Sequence, residues 1–373
     1  MTGEGPDMWE PATHAFPADR LDEFLLWASA REASDIAFQT GETVRIERHG
    51  RLLEVSPTPL DSVALGAIAE HIAGEASVAL LRSGDAIDCS HTVMTGRRSS
   101  RRFRVNMSPV QAWGAFGVNV TLRVLPETIP SLDDLGIEPE IVAAWDMTTG
   151  LTLVTGVPGS GKSTLLAAGT RRLLERGAGR VHSLEAPIEF VFDGIAGPGA
   201  LMSSSEIPRH FPSFAAGLRA SLRRRPAAVV VGEARDRETV EAVIRAADYG
   251  IAVFATAHTI GVAATVRRLI AEFPAHERAE RAAALVDQTT LVVTQCLYPA
   301  PEGGRTAVRE WLVFTPALKA DLLESASETW PGRIAAELER TGNTLSAHAA
   351  AAFAEGRLER RDLARIRAAE TGG

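Results

Sequence analysis

Gly156-Val157-Pro158-Gly159-Ser160-Gly161-Lys162-Ser163 fits G-x-x-x-x-G-K-[ST], the loop that cradles the phosphates of a nucleoside triphosphate. The residues on either side suit it. Leu151 to Thr155 reads as a buried strand entering the loop, and Thr164-Leu165-Leu166-Ala167-Ala168 opens a helix after it. Glycines let backbone N–H groups turn onto the β-phosphate, and the following helix N-terminus adds the positive end of its dipole. Lys162 supplies a cation to the β/γ oxygens, and the Ser163 hydroxyl is placed to ligate Mg²⁺. Gly156, Pro158, Gly159, Ser160, Gly161, Lys162, Ser163 and Thr164 are therefore the expected contacts to ATP. Lys162 is one of only two lysines in the chain, the other being Lys319. A chance match in such a composition is rare, on the order of a few chains per thousand.

Bulk properties narrow the class. A chain of 373 residues can form two domains, each with its own core. With 45% hydrophobic and 23% charged residues it reads as a globular protein. A net charge of −8 gives no sign of a nucleic-acid surface, so no direct nucleic-acid partner is expected. Cys89 and Cys296 lie far apart, which disfavours a cysteine zinc site or a disulfide framework and fits a reducing compartment. No apolar run approaches a membrane span, and residues 1–19 lack the pattern of a signal peptide. The expectation is a cytoplasmic protein that can be recruited to the inner face of the membrane.

Working outward from the loop, the chain divides. Residues 1–19, with Pro6, Pro11 and Pro17, read as a flexible tail. Residues 20–125 alternate like a small α+β domain: a helix over 21–31, strands at 35–39, 43–48 and 51–55, a helix over 61–82, then strands at 101–107 and 118–124. Residues 126–134 form a proline-punctuated linker. Residues 135–373 alternate helix and strand, with strands at 151–155, 181–184, 228–231, 252–256 and 290–295, which builds an α/β, mostly parallel sheet. The stretch from Pro331 to Ala369 is helical, with breaks at Gly342-Asn343 and Gly356.

A P-loop enzyme needs carboxylates near the γ-phosphate to hold Mg²⁺ and orient water. Glu233 directly follows Val229-Val230-Val231-Gly232, and Glu185 directly follows the 181–184 strand, so both acids stand at strand ends flanking the P-loop. His258 ends a further strand at the same edge, where an imidazole could bond the γ-phosphate or its water. Arg219 and Arg223, one helical turn apart, sit just before the Glu233 strand, while Arg104 and Arg123 lie on strands of the first domain. Such arginines could act as fingers on a nucleotide held by a neighbouring domain or subunit. For any one of these arginines, a solvated surface position is the ordinary alternative.

Taken in order, Gly156 to Ser163, Glu185-Ala186-Pro187-Ile188-Glu189, Val231-Gly232-Glu233-Ala234-Arg235-Asp236 and Ala257-His258-Thr259 resemble the Walker A, Asp, Walker B and His boxes of the secretion and pilus-retraction ATPases. Ala33 to Ile36, Arg102 to Asn106, Arg123 to Pro126, Phe273-Pro274 and Gly342 to Leu345 extend the resemblance over roughly residues 30–365. It is closest to the type IVB secretion and conjugal-transfer ATPases and to the pilus-retraction ATPases. The resemblance implies a PAS-like first domain, a RecA-like P-loop NTPase domain and a homohexameric ring serving an inner-membrane secretion or pilus machine. ATP and Mg²⁺ would be the cofactors. Glu185 would orient the attacking water, with Ser163 and Glu233 on the Mg²⁺ side. Arg104, Arg123, Arg219 and Arg223 would reach nucleotide across domains or subunits, with domain rotation about 126–131. One departure is Ala186, where the family usually carries a second acid. That change leaves open a slowly hydrolysing scaffold beside the ring motor.

Overall fold

The computed structural model describes residues 8–9, 16–97, 99–195 and 197–371, apart from the side chains of 370 and 371. It resolves into two compact units: one runs to Thr128 and takes in Ala186–Val191, and the other holds Ile129–Glu185 and the chain from Phe192 onward. The break after Thr128 falls inside the proline-punctuated segment.

In the first unit the elements are α1 (Leu21–Ala30), β1 (Asp35–Gln39), β2 (Arg45–Arg48), β3 (Arg51–Glu54), α2 (Ser62–Ala73), α3 (Ser77–Arg82), β4 (Ile87–Met94), β5 (Ser100–Ala112) and β6 (Ala115–Val124). The strands form one antiparallel sheet in the order β3-β2-β1-β6-β5-β4. Alternation decides which face is covered: Phe103, Val105 and Met107 are buried on β5, while Arg102, Arg104 and Asn106 take the other face. The helix expected over 61–82 is two helices, because Asp61 caps α2 through the Ala64 N–H and Gly74, at φ 88°, ends it. Strand β4 was not foreseen; its burial is too uneven to show as a period-two pattern.

Much of the 1–19 tail lies outside the described residues. Trp9 and Phe16, however, are buried, with ring centroids 5.1 Å apart and each about 5 Å from Phe24. The Trp9 N–H donates to the Val55 carbonyl at 2.9 Å. Trp9 and Phe16 are thus packed aromatic anchors, at two positions of a segment that its prolines alone would make mobile.

The second unit contains α4 (Pro139–Trp145), β7 (Gly150–Thr155), α5 (Lys162–Glu175), β8 (Gly179–Glu185), β9 (Ala200–Glu206), α6 (Phe214–Leu222), β10 (Ala228–Val231), α7 (Arg237–Asp248), β11 (Ala252–Ala257), α8 (Val262–Ala271) and α9 (Arg278–Gln288). After these come β12 (Thr289–Pro299), β13 (Arg305–Val313), α10 (Pro316–Leu323), α11 (Trp330–Thr341), α12 (Leu345–Ala354) and α13 (Arg360–Thr371). Its sheet runs β13-β12-β7-β11-β10-β8-β9, parallel throughout except for the β12–β13 hairpin at one edge. Strands β7, β10 and β11 are almost entirely buried because helices cover both faces. The outer strands β9 and β13 escaped the sequence reading. β9 is Ser-rich and half-exposed, and β13 carries Arg309 and Glu310 inside its apolar run.

Helix α5 is fixed by unusually close packing. A Cβ at Gly169 would come within 2.4 Å of the Trp145 ring, and Trp145 in turn stacks on Phe254 of β11 at 4.2 Å. Only a glycine lets the helix that follows the P-loop sit this near the sheet.

Candidate nucleotide site at the carboxyl edge of the second sheet

Strand β7 delivers the chain to the loop, and α5 takes it away with Lys162 as its first residue. Gly156 and Gly161 take φ values of +137° and +82°, a region closed to most side chains. Space forbids a side chain as well: a Cβ on Gly156 would lie 2.2 Å from the Gln295 carbonyl oxygen, and one on Gly161 2.7 Å from Gln295 Nε2. The Lys162 ammonium donates to the Gly156 and Val157 carbonyls at 2.8 and 2.9 Å, so it is folded back over the loop. Ser160 Oγ is buried in the loop with no hydrogen-bond partner among the described residues. Val157, Pro158 and Gly159 are exposed at its crown, Ser163 is exposed at the mouth of α5, and Thr164 is half-buried. A curved loop with a movable cation at a helix N-terminus fits a polyphosphate.

The loop rests on a polar strut that sequence reasoning missed. Gln295 Nε2 donates to the Ser160 carbonyl at 2.7 Å, and Arg309 Nε donates to Gln295 Oε1 at 2.8 Å. Arg309 then reaches the Glu138 carboxylate at 3.2 Å and the Gly136 and Leu135 carbonyls at 3.3 Å. Gln295 and Arg309 are each 4% exposed. Burial pulls the Arg309 guanidinium below its ordinary pKa, and Glu138 pulls it back. The available signal was a Gln and an Arg inside runs of apolar strand residues, since buried polar groups need partners.

Parallel order places the other residues along the same edge. Next to β7 lies β11, whose end carries His258; then β10, which leads through Gly232 to Glu233; then β8, ending at Glu185. The acids were expected on strands flanking the P-loop strand. Its direct neighbours are instead β11 and β12, and β10 and β8 stand two and three strands away, about 10 and 14 Å at ~4.8 Å per strand. His258 is the edge residue nearest the loop strand in strand order. His258 Nε2 lies 3.4 Å from Glu233 Oε1, and Arg235 Nη1 lies 3.8 Å from Glu233 Oε2. The Ala234 N–H donates to the Thr256 carbonyl at 2.8 Å, and Thr256 Oγ1 donates to the Gly232 carbonyl, which fastens the Glu233 turn to β11. On the far side the Gly232 N–H donates to the Leu184 carbonyl at 2.7 Å, and the Ile207 N–H to the Glu185 carbonyl at 2.8 Å. Glu185 is half-buried, and Ala186 after it is exposed.

The four arginines are all exposed. Arg104 and Arg123 stand directly opposite each other on β5 and β6, on the face of the first sheet away from Phe103 and Val105. Arg123 Nε donates to Asp35 at 2.9 Å, and Arg104 Nη1 to Glu189 at 3.3 Å. Arg219 reaches Glu238 at 3.4 Å, and Arg223 is the C-cap of α6.

Known proteins place the chain. The family described as type II/IV secretion system protein matches residues 12–299. The chain belongs to that family. It is 37% identical over 215 residues to the uncharacterized protein YggR of Escherichia coli K12, covering 58% of this chain and 65% of that one, just under two thirds of its length. It is 31% identical over 299 residues to the type IV pilus retraction ATPase PilT of Pseudomonas aeruginosa, covering 80% of this chain and 84% of PilT. Among solved structures, the ATPase DotB of Legionella pneumophila superposes with a TM-score of 0.91 at 36% identity, over 97% of this chain and 99% of DotB. The expected α/β, RecA-like fold therefore stands, and the chain is a P-loop ATPase of the secretion and pilus family. Among the described residues, no helix is long and apolar enough to cross a membrane.

Proposed function

We propose that this chain is a ring motor, a homohexamer that hydrolyses ATP with Mg²⁺ to drive a type IVB-like secretion or conjugative-transfer machine. The likeness to DotB, end to end and at 36% identity, is the observation that carries this reading. In it, Lys162 leaves the Gly156 and Val157 carbonyls for the β/γ oxygens of ATP, while the loop N–H groups between Gly156 and Ser163 hold the β-phosphate. Ser163 and Glu233 carry the oxygens that would hold Mg²⁺; when bound, the ion neutralises charge on the β and γ oxygens. Glu185 orients the water that attacks the γ-phosphorus as its bond to the bridging oxygen breaks, and the water proton passes to carboxylate. His258, at 3.4 Å from Glu233, holds that acid in place and senses the loss of the γ-phosphate. Arg104, Arg123 and Arg219 trade their present acid partners for nucleotide held by a neighbour, and the exposed Arg223 joins them.

A second reading, pilus retraction, is supported by the 31% identity to PilT over 80% of this chain. Deleting the gene separates the two. Loss of protein or plasmid transfer with surface twitching intact fits the transfer motor; loss of twitching with transfer intact overturns it in favour of retraction. The machine components that receive the work are expected at the inner membrane, with the ATPase peripheral to it.

A further inference from the structure

Far along the chain from the P-loop, three metal-ligating side chains converge in the first unit. His91 Nε2, on β4, lies 2.7 Å from Asp22 Oδ1 of α1, and His71 Nε2, in the last turn of α2, lies 3.3 Å from the same oxygen. All three donor atoms fall within 4.8 Å of one another, and the imidazole rings are 5.6 Å apart. Sequence separations of 49 and 69 residues mean that the tertiary fold, not local spacing, assembles the cluster.

We infer that Asp22, His71 and His91 form a binding site for a divalent transition metal, with Zn²⁺ as the best-fitting ion. The argument is one of donor type and distance. Two imidazoles and one carboxylate are borderline donors suited to Zn²⁺, Co²⁺, Ni²⁺ or Cu²⁺, and ill suited to Mg²⁺ or Ca²⁺, which prefer all-oxygen shells. Bonds of about 2.0–2.2 Å in a tetrahedron set neighbouring donors roughly 3.3 Å apart. The His71–Asp22 distance already has that value, and the His91–Asp22 distance needs to open by about half an ångström.

Rigidity and access are divided between the ligands. The His91 side chain is 12% exposed, on the side of β4 that also carries Val93 into the core. The side chains of His71 and Asp22 are 37% and 43% exposed, which leaves an entry path and room for a water as fourth ligand. Without metal, the imidazoles hydrogen-bond Asp22. With metal, both rings carry their proton on Nδ1 and present the Nε2 lone pair. The bound ion ties α1, α2 and the edge strand β4 together and stabilises the folded unit by mass action. The cysteine spacing that disfavours a thiolate zinc site says nothing about this one, because it contains no cysteine.

The test uses the nucleotide-free, full-length chain. Zn²⁺ is titrated against a chromophoric chelator, Co²⁺ is followed by its visible d–d spectrum, and melting is followed with and without Zn²⁺. One equivalent is expected to bind, with the cobalt spectrum of a nitrogen–oxygen shell and a rise in melting temperature. Losing a mere outer-shell partner costs about 10–100-fold in metal affinity, so H71Q, H91Q and D22N should each weaken binding at least ~10-fold. His71 is the most informative position, since its side chain is half-exposed and the substitution leaves the core untouched. Failure of the wild-type chain to bind Zn²⁺, a thiolate charge-transfer band with Co²⁺, or undiminished binding by folded H71Q would each overturn the site.

Discussion

His258 Nε2 stands 3.4 Å from Glu233 Oε1, at the ends of two neighbouring strands, with the His258 strand directly beside the strand that feeds the P-loop. The pair joins a candidate Mg²⁺ carboxylate to a group one strand nearer the phosphates. Glu233→Gln and Glu185→Gln should each keep ATP bound while slowing hydrolysis by at least ~10²-fold, the scale for a lost positioned acid or base. His258→Asn should also slow the rate while ATP affinity stays within a few-fold. Single-turnover hydrolysis with labelled ATP, alongside equilibrium binding, checks all three. Full rate in Glu185→Gln would leave Glu233 as the sole essential carboxylate.

Lys162 spends its hydrogen bonds on its own loop, through the Gly156 and Val157 carbonyls. Lys162→Ala should therefore fold normally yet lose ATP binding or turnover, since its cation is needed only once phosphates arrive. Fluorescent-nucleotide titration beside a thermal melt tests this. Normal turnover would remove the P-loop from the mechanism.

The strut beneath the loop gives a different prediction. Gln295→Met removes the donor to Ser160 and strands Arg309 Nε, both in a buried setting. Leaving such groups unpaired costs about 1–3 kcal/mol each, so urea unfolding of the variant should show a loss on that order or larger. Nucleotide affinity should fall too, because the loop loses its support. An unchanged unfolding midpoint would mean the strut is energetically idle.

Legibility in the sequence followed physical range. Strands β7, β10 and β11 and helices α5, α7 and α8 showed themselves because apolar runs and helical periodicity are local properties. The P-loop was legible for the same reason, being eight consecutive residues. Strand order is not local, so the sequence could put Glu185 and Glu233 at strand ends without showing that β11 and β12, rather than β8 and β10, adjoin β7. Gln295, Arg309 and Glu138 were missed because their meaning lies in contacts across 14 and 171 residues. β13 was hidden by its buried Arg309, which breaks the apolar run while satisfying its own hydrogen bonds inside the core.

His182 offers a pH test independent of nucleotide. It is 2% exposed on β8, its Nδ1 has no partner among the described residues, and burial, reinforced by Arg224 and Arg180, lowers its pKa to about 4. The unfolded chain takes up this proton near pH 6.5, well before the folded chain does. Stability is thus full above about pH 6.5, declines as pH falls, and levels off below about 4, a total on the order of 3 kcal/mol at ~1.4 kcal/mol per unit. Urea unfolding of wild type and His182→Gln across this window should show a shallower slope for the variant. Equal slopes would mean that His182 is not the titrating group.

The claim that the chain works as a ring with shared sites is tested most directly by ATPase rate against protein concentration, with light scattering on the same samples. A ring motor gives a rate per subunit that climbs as a hexamer appears, with Arg104→Ala and Arg123→Ala slowing only the assembled form. A rate per subunit that is flat from monomer upward, or negligible turnover with tight ATP binding in every assembly state, would contradict it.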